Sequence, residues 1–286
     1  MTTEKFDLIV IGAGPGGYVA AIRASQLGMK VACVDRRSTL GGTCLNVGCI
    51  PSKALLNASE QFAKVTDGTL ADLGISVGTP KLDLGRMQAA KDDIVSGLTG
   101  GIDYLFKKNK ITRLEGTARI DHAGEVSLVD GLDKGSHHCD RILIATGSHA
   151  SSLPNVAIDE KRIISSTGAL ALTMLPKKLV VIGAGYIGLE LGTVWARLGA
   201  EVEVIEFLPR ILPGMDEEVA KKFMAIAKRQ GLKFRLKTAV KSAKASKTGV
   251  SLMVESAGGG DEEQIDADVA LVSVGRHPAT NGLGLE

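Results

Sequence analysis

The chain of 286 residues has few aromatic side chains, no long apolar run and no excess of charge of one sign. Only 3% of the residues are aromatic, whereas 44% are hydrophobic, so the cores must be built from Val, Ile, Leu and Ala. No apolar stretch approaches the ~20 residues of a membrane-spanning helix, so no membrane span is predicted. The formal net charge is +2, with both signs interspersed, which argues against a nucleic acid or an anionic membrane as a partner.

The N-terminal residues do not have the pattern of a targeting segment. Met1–Asp7 carries acidic residues before a short apolar run, unlike a signal peptide or an arginine-rich transit peptide. We therefore expect a cytoplasmic protein, with a processed organellar protein as the alternative. A structural disulfide is disfavoured in such a reducing compartment.

Two of the four cysteines form a closely spaced pair, Cys44 and Cys49, in the glycine-rich segment 41–53. Pro51 suits the first turn of a helix and a run with helical spacing follows it. Cys49 is therefore expected at a helix N-terminus, which stabilises a thiolate. Cys44 is one short loop away, close enough for a disulfide if the backbone bends. The residues favour a redox-active pair; half of a zinc site, a structural disulfide and two inert thiols are the alternatives.

The remaining cysteines do not indicate a metal site. Cys33 lies apart from the pair and lacks ligand-like spacing. His137, His138 and Cys139 are adjacent, but no further ligand lies near them in sequence. Because a structural zinc site needs four ligands, we predict no metal.

Two stretches have the pattern of a dinucleotide-binding unit: apolar strand, glycine loop, helix, second strand and acid. Each acid follows the first glycine of its loop by 23 positions. The glycines permit a tight turn and close approach of a pyrophosphate to the helix N-terminus, and the acid accepts hydrogen bonds from a ribose. The candidate binding residues are Gly12, Gly14, Gly17 and Asp35 in the first stretch, and Gly183, Gly185, Gly188 and Glu206 in the second.

Two units predict two nucleotide sites and an α/β fold with two Rossmann-like dinucleotide-binding domains. The carboxylate of Glu206 would repel the 2′-phosphate of NADP, which favours NAD. A β-meander is predicted inside the first domain, at 117–120, 125–129 and 141–145. Further predictions are a helix over 85–108 that is broken or weakened around Gly97, Gly100 and Gly101, a helix over 216–230, and strands at 234–237, 250–255 and 267–274.

Segment 41–53 resembles the redox-disulfide signature of the flavin-dependent disulfide reductases, and Leu45, Ile50 and Ser52 are most similar to the dihydrolipoyl dehydrogenases of that family. The resemblance implies that Cys44 exchanges with a dithiol substrate and that Cys49 faces FAD. It also implies that Lys53 and Glu190 meet beside the flavin. Further cofactor contacts implied by the resemblance are Thr43, Ala145, Thr146 and Gly147 for FAD, and Tyr186, Gly275 and Arg276 for NAD.

The resemblance further implies the reaction and its partner. Dihydrolipoamide would be oxidised to lipoamide and NAD+ reduced through the disulfide and FAD. The lipoyl domain of a 2-oxoacid dehydrogenase complex would be the partner. The implied domains are an incomplete FAD-binding domain over 1–149, an NAD-binding domain over 150–275, and the start of a return to the FAD domain over 276–286.

Enzymes of this family continue past the position of Glu286, with a second flavin motif and an interface domain. That domain forms the homodimer and supplies a histidine base. We therefore expect an N-terminal fragment with little or no turnover of its own. Two alternatives remain: a glutathione- or mercuric-type reductase, against which Glu206 argues, and a non-catalytic nucleotide-binding module.

Overall fold

The computed structural model describes residues 5–285. These residues form two compact units, each assembled from separate chain segments. The first unit comprises the chain up to Pro51, Asp92–His149 and the chain from His277 onward. The second unit comprises Ser52–Lys91 and Ala150–Arg276. The domain boundaries near 150 and 275 stay a prediction.

The first unit is built on a six-stranded sheet. Its strands are β1 Lys5–Ile11, β2 Val31–Asp35, β3 Thr112–Glu115, β4 Ala118–His122, β5 Glu125–Leu128 and β6 Gly135–Ile144. They lie in the order β3-β2-β1-β6-β5-β4, the first four parallel and the last two antiparallel. The helices are α1 Pro15–Gln26 and α2 Gly42–Val47, while α3 Cys49–Thr66 and α5 Leu84–Lys108 contribute residues to both units.

The second unit contains a parallel sheet and a separate antiparallel sheet. Its elements are α4 Thr69–Asp72, β8 Ile163–Ile164, α6 Ser166–Leu170, β9 Lys178–Ile182, α7 Tyr186–Leu198, β10 Glu201–Ile205, α8 Glu217–Arg229, β11 Lys233–Arg235, β12 Thr238–Ala245, β13 Val250–Ser256, β14 Glu263–Ala267 and β15 Val269–Val272. The parallel sheet has the order β11-β10-β9-β15-β8 and the antiparallel one β12-β13-β14. Two short strands, β7 Ser148–Ala150 and β16 Arg276–Pro278, pair with each other.

The two parallel sheets repeat one arrangement, β3-β2-β1-β6 in the first unit and β11-β10-β9-β15 in the second. In the first unit β1 lies between β2 and β6, and in the second unit β9 lies between β10 and β15 in the same way. The predicted α/β fold with two Rossmann-like units is confirmed, and so is the meander of the first unit.

The antiparallel sheet of the second unit was not predicted in full. β12 was missed because its sequence is rich in Lys, Ala and Ser, which are uncommon in strands. The predicted strand at 267–274 is wrong in extent, since β14 ends at Ala267 and β15 begins at Val269.

Two helices also differ from the predictions. The helix α5 runs unbroken past Gly97, Gly100 and Gly101, so a break at these glycines is wrong. Each interior glycine costs ~1 kcal/mol, but burial of Ile102 and Phe106 in the core of the first unit offsets that cost. Residues 42–47, for which no helix was predicted, form α2. Within residues 5–285, no helix combines the length and hydropathy needed to cross a bilayer.

One glycine in each unit allows the loop helix to pack against the end of the first strand. A Cβ on Gly17 would lie 1.7 Å from the carbonyl oxygen of Gly12, and one on Gly188 would lie 2.5 Å from that of Gly183. These positions therefore have no room for a side chain. By contrast, a Cβ on Gly16 would meet nothing within 4 Å.

We expect Gly17→Ala to lower the free energy of unfolding by about 2–3 kcal/mol, because the methyl group forces α1 away from β1. Gly16→Ala, on the same helix, is the matched control and should change it by less than about 1 kcal/mol. Urea unfolding followed by circular dichroism measures both. Equal effects of the two variants would contradict this account of the packing.

Candidate active site

The cysteine segment lies directly on the first glycine loop. The backbone N–H of Gly41 donates to the carbonyl oxygen of Ala13 at 2.9 Å. A Cβ on Gly42 would lie 2.5 Å from the Cα of Gly14, so the two backbones meet with no side chain between them. Gly41 and Gly42 have φ values of +98° and +57°, the left-handed region that favours glycine. The structure thus joins two motifs that are well separated in sequence.

The two cysteines occupy successive helices. Cys44 lies in α2 and Cys49 begins α3, as predicted for its helix N-terminus. Between them the chain turns back closely, because a Cβ on Gly48 would lie 2.9 Å from the carbonyl oxygen of Thr43 and 3.3 Å from the Cα of Cys44. Cys44 is half-buried and Cys49 is exposed. Their disulfide stays a prediction.

The other two cysteines are sequestered in the sheet of the first unit. Cys33 and Cys139 are both buried. Burial, with a smaller effect from the charge of Asp35, raises the pKa of Cys33 to about 12. Burial also raises the pKa of Cys139. Neither thiol is therefore ionised near neutral pH, whereas thiol–disulfide exchange requires a thiolate.

The predicted FAD residues converge around the first glycine loop. One carboxylate oxygen of Asp35 accepts the N–H of Ala13 at 2.8 Å, and the other accepts that of Arg37 at 2.9 Å. Gly12, with φ +104°, faces the chain after β6: a Cβ there would lie 2.3 Å from the Ala145 carbonyl oxygen and 3.0 Å from the Cα of Thr146. Gly147 follows in the left-handed region, and Thr43 lies in α2 beside the contact with Gly14.

The second unit repeats this carboxylate arrangement. Glu206 accepts the N–H of Ala184 at 2.7 Å and that of Leu208 at 2.8 Å, each on a different oxygen. It is 8% exposed. Gly183 contacts Ser273 as Gly12 contacts Ala145, with a Cβ position 2.6 Å from the Ser273 carbonyl oxygen. Both acids are thus fixed by the backbone next to their glycine loops.

A cleft of about 680 Å³ opens beside the second loop, entirely within the second unit. Six of the predicted NAD residues line it: Gly183, Gly185, Tyr186, Glu206, Gly275 and Arg276. Gly188 is not among the lining residues, since it packs against the backbone of Gly183. Tyr186, the implied residue of the nicotinamide pocket, lines the cleft and is 66% exposed.

Phe207 was missed by the sequence analysis. It is 59% exposed on the wall of the same cleft. Exposed large apolar groups at a concave site are typical of ring-binding surfaces. Its position directly after Glu206, the acid predicted to bind a ribose, was the available signal.

The predicted partners Lys53 and Glu190 meet within the second unit. The Nζ of Lys53 lies 2.6 Å from Oε1 of Glu190, and the hydroxyl of Ser52 donates to Oε2 at 2.8 Å. Lys53 is exposed, Glu190 is half-buried and Ser52 is buried. Ser52 was quoted only as part of the signature, and the structure adds its bond to the carboxylate. The flavin that this pair would face was inferred from resemblance.

Both loops fit a bound dinucleotide. Four glycines are packed against backbone: Gly12 and Gly17 in the first loop, and Gly183 and Gly188 in the second. A Cβ on Gly16 or on Gly185 would meet nothing within 4 Å, so the surface of each loop is open there. A parallel-sheet fold with two such loops, one of them in contact with a cysteine pair, is typical of the nucleotide-dependent disulfide oxidoreductases.

Comparisons with known proteins agree with that class. The family described as pyridine nucleotide-disulphide oxidoreductase matches residues 6–286, and the chain belongs to this family. It is 55% identical to leghemoglobin reductase of Vigna unguiculata over 99% of this chain, 54% identical to dihydrolipoyl dehydrogenase 3 of Pseudomonas aeruginosa over 99%, and 53% identical to the mitochondrial dihydrolipoyl dehydrogenase 1 of Arabidopsis thaliana over 99%. It is similar to the Cu(II) complex of an HOCl-induced flavoprotein disulfide reductase of Escherichia coli, with a TM-score of 0.82, 26% identity and 98% of this chain covered.

The chain spans only part of these proteins. It covers 54% of the Vigna protein, 61% of the Pseudomonas protein and 56% of the Arabidopsis protein. It covers 58% of the Escherichia coli chain.

We expect the four thiols to separate cleanly in pulsed alkylation of the reduced, folded chain near pH 8. Cys49 should react first because it is exposed, and Cys44 second because it is half-buried. Cys33 should react only after unfolding, because its raised pKa keeps it protonated. Peptide mass mapping after each pulse measures the order. Labelling of Cys33 or Cys139 at the rate of Cys49 would contradict the prediction.

Proposed function

We propose that the chain carries the dithiol and nucleotide-binding parts of an NAD-dependent flavoprotein disulfide oxidoreductase of the dihydrolipoyl dehydrogenase type. The observation that carries the proposal is the backbone contact between the cysteine segment and the first glycine loop, at Gly42 and Gly14. A dithiol held on a dinucleotide loop can pass electrons to a cofactor bound there. The similarity to dihydrolipoyl dehydrogenases over 99% of the chain supports this assignment.

In the proposed dithiol step, a thiolate of dihydrolipoamide attacks Cys44 in the Cys44–Cys49 disulfide. An S–S bond forms between the substrate and Cys44, and Cys49 leaves as a thiolate. The second substrate thiol then attacks the substrate sulfur of this mixed disulfide, which releases lipoamide and the Cys44 thiolate. Two electrons have moved from the substrate to the protein pair. Cys49, the group that leaves, lies at the N-terminus of α3.

FAD would be held by the first loop. Gly12, Gly14 and Gly17 form its backbone, Asp35 would bind the ribose, and Thr43, Ala145, Thr146 and Gly147 would line its edges. When bound, FAD accepts two electrons and NAD+ receives them as hydride. Lys53, held by Glu190 at 2.6 Å, would stabilise negative charge that develops beside it. The pair is partly exposed, so its contribution to stability alone is small.

NAD would be held in the cleft of the second unit. Gly183, Gly185 and Gly188 form the loop, and Glu206 would accept the ribose hydroxyls through the lone pairs that Ala184 and Leu208 leave free. Gly275, Arg276 and Tyr186 would lie along the remainder of the cofactor. The fixed carboxylate disfavours the 2′-phosphate of NADP.

The proposed partner is the lipoyl domain of a 2-oxoacid dehydrogenase complex, and the proposed oligomer of the whole enzyme is a homodimer. No nucleic acid or membrane partner is proposed. The proposed compartment is the cytoplasm; the relatives from Arabidopsis and pea carry mitochondrial names, which makes an organelle the alternative.

The dithiol step is tested by adding dihydrolipoamide in small excess to the purified chain after its thiols have been oxidised. We expect two new protein thiols per chain, mapped to Cys44 and Cys49, with one lipoamide formed. Cys49→Ser should abolish the change, while Cys139→Ala should behave like the unsubstituted chain. An oxidised pair that dihydrolipoamide leaves intact would falsify the proposed substrate. Assay of the same sample with FAD and NAD+ measures its turnover, which we expect to be low.

Cofactor choice is tested by the affinities for NADH and NADPH. We expect tighter binding of NADH, and about tenfold weaker NADH binding in Glu206→Gln, because an amide N–H then faces the N–H of Ala184 or Leu208. Glu218→Gln, on the exposed first turn of α8, is the matched control and should leave both dissociation constants unchanged. Titration calorimetry gives these constants. A preference for NADPH would instead favour a glutathione-type reductase.

A further inference from the structure

Asn46 lies between the two cysteines in sequence, and both N–H groups of its side-chain amide donate hydrogen bonds. Its Nδ2 donates to the carbonyl oxygen of Gly42 at 2.8 Å and to that of Leu40 at 3.0 Å. Its Oδ1 accepts the hydroxyl of Thr39 at 2.7 Å. An amide has two N–H donors and one carbonyl acceptor. The Asn46 side chain is therefore fixed in one orientation.

The bonds to Leu40 and Thr39 tie α2 to the segment that precedes it, and the bond to Gly42 closes a turn within α2. Leu40 is 1% exposed and packs in the core of the first unit. Gly41 and Gly42 follow it and make the contacts with Ala13 and Gly14. A six-residue helix is marginal by itself, so the bonds from Asn46 supply order that its own length does not.

The same bonds restrict Cys44, which lies two residues before Asn46 in α2. The Gly48 turn then brings the start of α3 back against Thr43 and Cys44. All the groups involved belong to the first unit. Holding one thiol in place raises its effective concentration toward the other, because less freedom is lost when the sulfurs join.

We propose that Asn46 is a positioning residue that favours the disulfide of Cys44 and Cys49 by fixing α2 on the glycine loop. The inference rests on the proposed function, since it assumes that this pair is redox-active. Asn46 does not touch the reacting atoms in this account. It acts through the placement of Cys44.

The equilibrium to measure is exchange with glutathione. One glutathione disulfide oxidises the two protein thiols: its S–S bond breaks, the Cys44–Cys49 bond forms, and two glutathione thiols take up the two protons and two electrons. The purified chain is equilibrated anaerobically in buffers of different glutathione ratio and then quenched with acid. Alkylation and peptide mass analysis give the fraction of disulfide. This readout requires no cofactor or turnover.

Asn46→Asp keeps the shape of the side chain but turns an oxygen toward the carbonyls of Leu40 and Gly42. We expect the equilibrium constant for disulfide formation to fall about tenfold, a rise of about 30 mV in the reduction potential. The added negative charge acts in the opposite direction, because it destabilises thiolates and so disfavours the reduced pair. A fall therefore reports on lost positioning.

Thr39→Val is the milder variant, which removes only the hydroxyl donor to Asn46. We expect a two- to threefold fall, with the thermal unfolding midpoint close to that of the unsubstituted chain. Asn57→Asp is the charge control, since it makes the same chemical change at an exposed position of α3. It should leave the equilibrium constant within twofold.

The outcomes separate the two proposals. A tenfold fall for Asn46→Asp, a smaller fall for Thr39→Val and no change for Asn57→Asp support the role of Asn46. An unchanged or increased constant in both Asn46→Asp and Thr39→Val overturns that role and leaves the proposed function intact. An equal fall for Asn57→Asp also overturns it. If the unsubstituted chain forms no Cys44–Cys49 disulfide at any ratio, the proposed function fails together with the inference.

Discussion

The close backbone approach of Gly42 to Gly14 is the constraint on which the candidate site depends. It exists because neither residue has a side chain and because Gly41 and Gly42 adopt positive φ. The hydrogen bond from Gly41 to Ala13 holds it in place. A single Cβ at Gly42 would separate the cysteine segment from the nucleotide loop. The candidate redox pair and the candidate cofactor loop are therefore parts of one local structure.

The second unit has the same backbone hydrogen bond between its glycine loop and the segment after its acid, but that segment carries no cysteine pair. Leu212 lies six positions after Glu206, as Gly41 lies six after Asp35 (212 − 206 = 41 − 35 = 6). Its N–H donates to Ala184 at 2.9 Å, and its φ is +49°, which is uncommon for leucine. The chain beyond Leu212 borders the cleft through Pro213, where the first unit has the cysteine segment. One scaffold thus presents an open wall in one unit and a dithiol in the other.

Patterns of strand, glycine loop and acid were enough to predict both Rossmann-like units, and β9 and β10 flank the second glycine loop and its helix as this pattern requires. The glycines and the acids were predictable because their roles are set by backbone geometry within one short unit. The bond of Ser52 to Glu190 was not, since it joins residues 138 positions apart. The helix α2 was missed because side-chain bonds from Asn46, rather than its own propensity, hold it.

Burial of Cys33 and Cys139 also limits which thiols of the first unit can take part in thiol–disulfide exchange. A chain with four accessible thiols could scramble among several pairings. Here the packed sheet buries Cys33 and Cys139, so that Cys44 and Cys49 are the two thiols that reagents in solution can reach. In the proposed function, the thiols of this unit would therefore exchange two electrons, because burial keeps Cys33 and Cys139 out of the reaction.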